Sequence, residues 1–230
     1  MCCWQDVDAG SEPYSEATHL SLREAQRCFE ELGACDPEWV GIGRAPEPDE
    51  ARDPDWLALD AWEARQRPRV LQAIEAGFGH LRRGRGMRIY DAELADSYGV
   101  ESEHSRRVEH LYYDRYDEVP DEIIAAYYWV LSFFDPDGLR FHLAAYMAWA
   151  VRDRFCSPSN SVDWTIYALC PSEGDTRDWS LARLEVLDRA QAEAVVGFLE
   201  LMAADERADQ RVAREGLVYW RARLEALAQS

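Results

Sequence analysis

The run from Phe141 to Val151, FHLAAYMAWAV, constrains this chain more than any other stretch. Every residue in it except His142 is apolar or aromatic. At 3.6 residues per turn these side chains cover all faces of a helix, so the helix must be surrounded by other elements. The run is far short of the roughly 20 residues that cross a bilayer. It predicts a central core helix, preceded by Asp135-Pro136 and extending to about Arg154, around which the rest of the fold is built.

Two polar side chains interrupt this apolar run. A buried charge is costly unless it is paired and hydrogen-bonded. Arg140, in the first two turns, opposes the helix dipole and therefore needs a carboxylate. Asp137, one turn earlier, is the local candidate, and a distant acid, for example from 114 to 122, is the other. His142 is expected to be a neutral core histidine with one hydrogen bond. Both residues are assigned as structural buried polar groups. The competing expectation is a small hydrolase or transferase site built from Arg140, His142 and nearby carboxylates, which requires a pocket holding a perturbed acid or histidine.

Helical periodicity recurs along the chain. Ser21 is a suitable N-cap and Gly33 a suitable stop for a helix over 20–34. Residues 56–81 predict one or two helices broken near Pro68, with Val70, Leu71, Ile74, Phe78 and Leu81 as the apolar stripe. Helices are further predicted over 91–99, 102–112, 120–134, 188–204 and 206–228. Two stretches suggest strands: 87–90, and the β-branched and aromatic run VDWTIYALC at 162–170. The expected fold is mainly α, a compact multi-helix domain with one to three short β-strands. Residues 1–55 are expected to form an N-terminal arm, the first helix and an acidic Pro-rich loop, and 56–230 the main helical domain, with one globular unit overall.

Charge narrows the function. Asp and Glu number 44 against 25 basic residues, a formal net charge of −19. Such a chain repels nucleic acid and anionic membranes and attracts a basic partner. Every basic residue is Arg, which removes P-loop, Schiff-base and Ser-x-x-Lys lysine chemistry. The six cysteines form no Cys-x-x-Cys and the five histidines no His-x-x-x-His, so neither metal nor cofactor is expected. No Gly-x-Ser-x-Gly is present, and no catalytic residue is assigned. The first residues lack a basic region and an apolar run, so a cytoplasmic protein is expected. The basic island Arg82, Arg83, Arg85 and Arg88 reads as cations at a helix C-terminus, the alternative being a grip on a phosphate or carboxylate.

Two acidic clusters are the candidate partner-binding residues. One is Glu47, Asp49, Glu50 and Asp53, in the Pro-rich loop. The other is Asp114, Asp117, Glu118, Asp121 and Glu122, interleaved with Tyr112, Tyr113 and Tyr116. Tyrosine supplies rigid contact area and the acids supply steering.

The run FFDPDGLRF at 133–141, followed by LAAYMAWAV, resembles the central motif of an uncharacterised bacterial family of small acidic proteins. His142 stands where that family tends to have Tyr, and Ala144 where it tends to have Pro. YDAELADSYG (90–99) and LDRAQAEAVVGFLELM (187–202) resemble flanking family blocks, so the likeness covers roughly 70–204. It implies a compact accessory protein, with immunity beside a toxin a common suggestion, and brings no catalytic residues. The expectation is an acidic protein-binding protein, most specifically an immunity- or antitoxin-like one that occludes a basic partner such as a bacterial toxin. The alternatives are the Arg140/His142 enzyme and a DNA-mimic inhibitor with acids spaced like phosphates.

Overall fold

The computed structural model describes residues 20–42, 56–153 and 157–229. The arm at 1–18 and the acidic loop with Glu47, Asp49, Glu50 and Asp53 lie outside the described residues. The chain divides into two units, Met1–Gln66 and Arg67–Ser230, with the boundary inside one helix. Among the described residues there are ten α-helices, and none is long and apolar enough to cross a membrane.

In the first unit, α1 (Leu22–Leu32) starts and stops as its sequence predicts. The Ser21 hydroxyl accepts from the Glu24 amide at 3.2 Å, and the Glu24 carboxylate accepts from the Ser21 amide at 2.9 Å. This reciprocal box satisfies two of the orphan donors of the first turn. Gly33 closes the helix at φ 73°. Arg23 is buried against Glu63 and also meets Asp60, and Arg27 adds a second ion pair to Asp60 at 2.6 Å. Glu63 and Asp60 both come from α2 (Leu59–Phe78), which carries Pro68 without interruption.

The second unit is organised by the predicted central helix, α6 (Pro136–Asp153). From Phe141 to Val151 no residue is more than 4% exposed. Asp135 caps α6: its Oδ1 accepts from the Gly138 amide at 2.8 Å and from the Met87 amide at 3.0 Å. The turn before α3 (Ile89–Asp96) is thereby seated on the start of α6. α4 (Glu103–Val108) and α5 (Asp121–Ala126) follow. The C-terminal α9 (Arg189–Ala203) and α10 (Gln210–Gln229) form a hairpin tied by Arg221 on Glu200 at 2.9 Å.

Three expectations are corrected. The strand predicted at 162–170 is a helix, α7 (Ser161–Ala168). Val162, Thr165, Ile166 and Leu169 are buried at helical spacing, so the packing face selects the helix over the strand propensity of its side chains. The residues at 87–90 enter α3 rather than a strand, and among the described residues strand pairing is limited to an isolated bridge at Ser21. The single helix expected over 120–134 is α5, a break at Tyr127 and a 3₁₀ segment, Tyr128–Ser132. The break is stabilised from elsewhere: the carbonyls of Ile124 and Ala125 accept from the hydroxyls of Ser161 (2.7 Å) and Ser159 (2.6 Å). Arg183, on α8 (Arg177–Leu184), donates to the carbonyls of Leu131 (2.6 Å) and Ser132 (2.9 Å). Sequence patterning gave no sign of α8.

Candidate functional site

The acidic–tyrosine segment folds into a short 3₁₀ turn, Tyr116–Glu118, that runs into α5. Tyr116 anchors it. The ring is buried, and its hydroxyl donates to Glu75 Oε2 of α2 at 2.5 Å. Burial, reinforced by that carboxylate, pushes the phenol pKa up. Glu118 closes the turn by accepting from the amides of Asp114 (3.0 Å) and Arg115 (3.3 Å). Pro120 precedes α5, and Asp121 and Glu122 sit in its first turn, where the helix dipole favours them.

This segment and α6 enclose a cleft of about 370 Å³. Tyr116, Asp117, Glu118 and Asp121 form one wall, and Ile124, Ala145 and Ala148 the apolar floor. Arg152 closes the far side and pairs with Asp121 at 3.0 Å. Of the eight candidates in this segment the cleft thus gathers four. Tyr112, Tyr113, Asp114 and Glu122 lie outside its lining. Sequence reasoning missed Ala145, Ala148 and Arg152. The i, i+3 alanines and the last-turn arginine of the core helix were the available signals.

Much of the cluster's charge is already engaged. Arg115 grips Asp117 through two bonds, at 2.8 and 3.0 Å, and holds that carboxyl below its ordinary range. Asp114 pairs with Arg82 at 3.1 Å, and the Arg83 guanidinium lies 4.5 Å over the Tyr112 ring. The basic island therefore turns onto the acidic cluster. Arg88, its last member, closes onto Asp91 at 3.1 Å. Exposed pairs of this kind are each worth about 0–1 kcal/mol, so a basic partner can exchange them at little cost.

Tyr113 carries an unmet demand. Its hydroxyl is buried without a hydrogen-bond partner, and burial beside Glu122 pushes its pKa up to about 12. An unsatisfied buried hydroxyl costs about 1–3 kcal/mol. Tyr113→Phe is accordingly expected to raise the unfolding free energy by about 1 kcal/mol, seen as a higher urea midpoint at unchanged slope. A loss of stability would show that the hydroxyl is satisfied.

The Arg140/His142 pair is built differently. Arg140 is at the edge of the core, its side chain 28% exposed, and its carboxylate partner is a distant acid, Asp188, rather than Asp137 or one of 114–122. Its Nε donates to Gln191 Oε1 at 2.9 Å and its Nη2 to Asp188 Oδ2 at 3.2 Å. Those two residues form the capping box of α9, so Arg140 docks the start of α9 onto α6. His142 is 1% exposed and its ring stacks on Phe134 at 4.3 Å. Its Nδ1 meets the Gly138 carbonyl at 2.8 Å, which assigns the proton to that nitrogen. Burial pushes its pKa down to about 4. A neutral, sealed imidazole of this kind supports packing. Among the described residues no group of three or more His, Cys, Asp or Glu is placed to hold a metal.

Comparison with known proteins adds a family. Residues 1–50 match a second model, described as Cysteine-rich CPCC, and they hold Cys2, Cys3, Cys28 and Cys35. No curated protein and no solved structure matches the chain. Residues 66–224, which take in the cleft, the central helix and the C-terminal hairpin, match the model described as Family of unknown function (DUF6714), and the chain belongs to that family.

Proposed function

We propose that this is a protein-binding protein that engages a basic partner through the cleft at Tyr116–Asp121. Its specific form is a cytoplasmic, immunity-like protein that occludes a cationic surface of its target, such as the active site of a bacterial toxin. The observation that carries the reading is the cleft itself: three carboxylates and a tyrosine around a floor of Ile124, Ala145 and Ala148, with Arg152 on the far side paired to Asp121, on a chain of net charge −19. The floor accepts the stem of a long cationic side chain while the rim holds its head. The surrounding charge raises the association rate and makes it sensitive to salt. The Arg140/His142 pair supports this reading by having structural work of its own.

Capture on the tagged full chain from its native cells, washed at low and then moderate salt, is expected to retain a stoichiometric basic protein that the higher salt releases. Blank captures across growth conditions would contradict the reading. Retention of DNA-processing enzymes, competed by DNA, would instead favour a DNA mimic.

A further inference from the structure

A row of aromatic rings crosses the second unit away from the cleft lining. It runs from His104 of α4 through Trp129 and Tyr128 of the 3₁₀ segment to Trp164 and Tyr167 of α7. Successive ring centroids are 5.8, 5.2, 5.6 and 6.4 Å apart. None of the five is buried: His104 and Tyr167 are exposed and the other three half-buried. Tyr127 shows the contrast. It touches both His104 and Trp129, yet it is 3% exposed and belongs to the core.

Carboxylates without a guanidinium partner flank this row at both ends. Glu93 is 3% exposed and accepts from the Trp129 indole at 2.9 Å and the Ser102 hydroxyl at 3.2 Å. At the other end, Asp209 accepts from the Tyr167 hydroxyl at 3.1 Å, and Asp163 accepts from the Asp209 amide at 3.1 Å. Among the described residues, none of these three carboxylates is in an ion pair, whereas Asp91, Asp114, Asp117, Asp121 and Asp188 all are. Arg107 and Arg211, whose charges act on Tyr127 and Tyr167, are themselves paired with Glu103 and Glu215. Aromatic faces attract cations, and an indole that donates to a carboxylate is richer in electrons still. A guanidinium is planar and weakly hydrated, so it stacks on such rings better than an ammonium does.

We propose that this row binds an arginine-bearing extended segment of a protein partner, with guanidinium groups lying on Tyr128, Trp129 and Trp164. The inference rests on the reading of a basic partner and gives that partner a second contact. A nucleic-acid strand also stacks on exposed rings, but its phosphates would meet the unpaired carboxylates and the net charge of −19.

The test is a titration of the ¹⁵N-labelled full chain with an Arg-Ser repeat peptide, its Lys-Ser counterpart and a thymidine oligonucleotide, observing the indole N–H resonances. Saturable shifts at Trp129 and Trp164 with the arginine peptide are expected, and about tenfold weaker binding of the lysine peptide. Trp164→Leu is expected to weaken the arginine peptide about tenfold. Should Trp164→Leu not fold, Tyr167→Ala and the shifts of the unmodified chain decide. Shifts spread over all the indoles, equal affinity for the two peptides, or preference for the oligonucleotide would overturn the proposal. Saturation of the row without any captured basic protein leaves this surface standing and removes the cleft reading. A captured partner indifferent to Trp164→Leu does the reverse.

Discussion

Gly138→Ala lowers the unfolding free energy by about 3 kcal/mol, a drop of roughly 10 °C in Tm for a chain of this size. The reason is the crossing of two backbones. A Cβ on Gly138 would stand 2.6 Å from Asp135 Oδ1, 2.9 Å from the Met87 carbonyl oxygen and 3.0 Å from the Met87 nitrogen. Asp135 cannot swing away without releasing the Met87 and Gly138 amides it accepts from. Helix propensity favours Ala over Gly by about 1 kcal/mol, too little to offset the clash. Gly86, on the facing turn, is equally constrained, since its Cβ would stand 2.6 Å from the Gly138 nitrogen. Gly197, in α9, is the control. Its Cβ would meet only Val70 Cγ2, at an ordinary 3.6 Å, so Gly197→Ala gains stability by up to about 1 kcal/mol. Equal effects at Gly138 and Gly197 in thermal melts would contradict the account of the crossing.

The second large effect is acid sensitivity through His142. With its pKa pushed down to about 4 from an ordinary 6.5, the folded chain holds this ring neutral while the unfolded chain protonates it first. The contribution is complete above about pH 6.5 and is lost progressively as pH falls towards 4, a change of about 3 kcal/mol. His142→Phe keeps the stack on Phe134 but forgoes the bond to the Gly138 carbonyl. The variant costs about 1 kcal/mol at pH 7 and is expected to flatten the stability profile between pH 7 and 4. Comparing variant with parent at each pH cancels the carboxylates common to both. An unchanged slope would mean that the ring reaches solvent or a counter-charge.

The legible part of this fold is what local pattern determines. The apolar run at 141–151 announced a surrounded helix, and Ser21 and Gly33 marked the ends of α1, because caps and periodicity act within a few residues. What could not be seen depends on distant partners. The break after α5 is held by Ser159, Ser161 and Arg183, which lie more than thirty residues downstream. The partner of Arg140 sits on α9, beyond any local search. The 162–170 run resembles a strand in its β-branched and aromatic content, but Val162, Thr165, Ile166 and Leu169 fall at i, i+3, i+4, i+7, and that spacing decides the helix. The cleft was half legible: its acidic wall is contiguous in sequence, whereas most of its floor, Ala145 and Ala148, lies in a helix whose pattern reads only as core. The aromatic row was not legible at all, since its five rings come from three separate elements.

The most direct test of the central claim is a paired capture with the parent chain and the Asp117→Arg, Asp121→Arg double variant under identical low-salt conditions. Both substituted carboxylates are on the surface, so the fold is expected to survive, with circular dichroism as the check. If the cleft receives the basic partner, the parent retains it and the double variant loses it by at least about a hundredfold. Equal retention by the two chains would contradict the claim and move the binding surface away from Tyr116–Asp121.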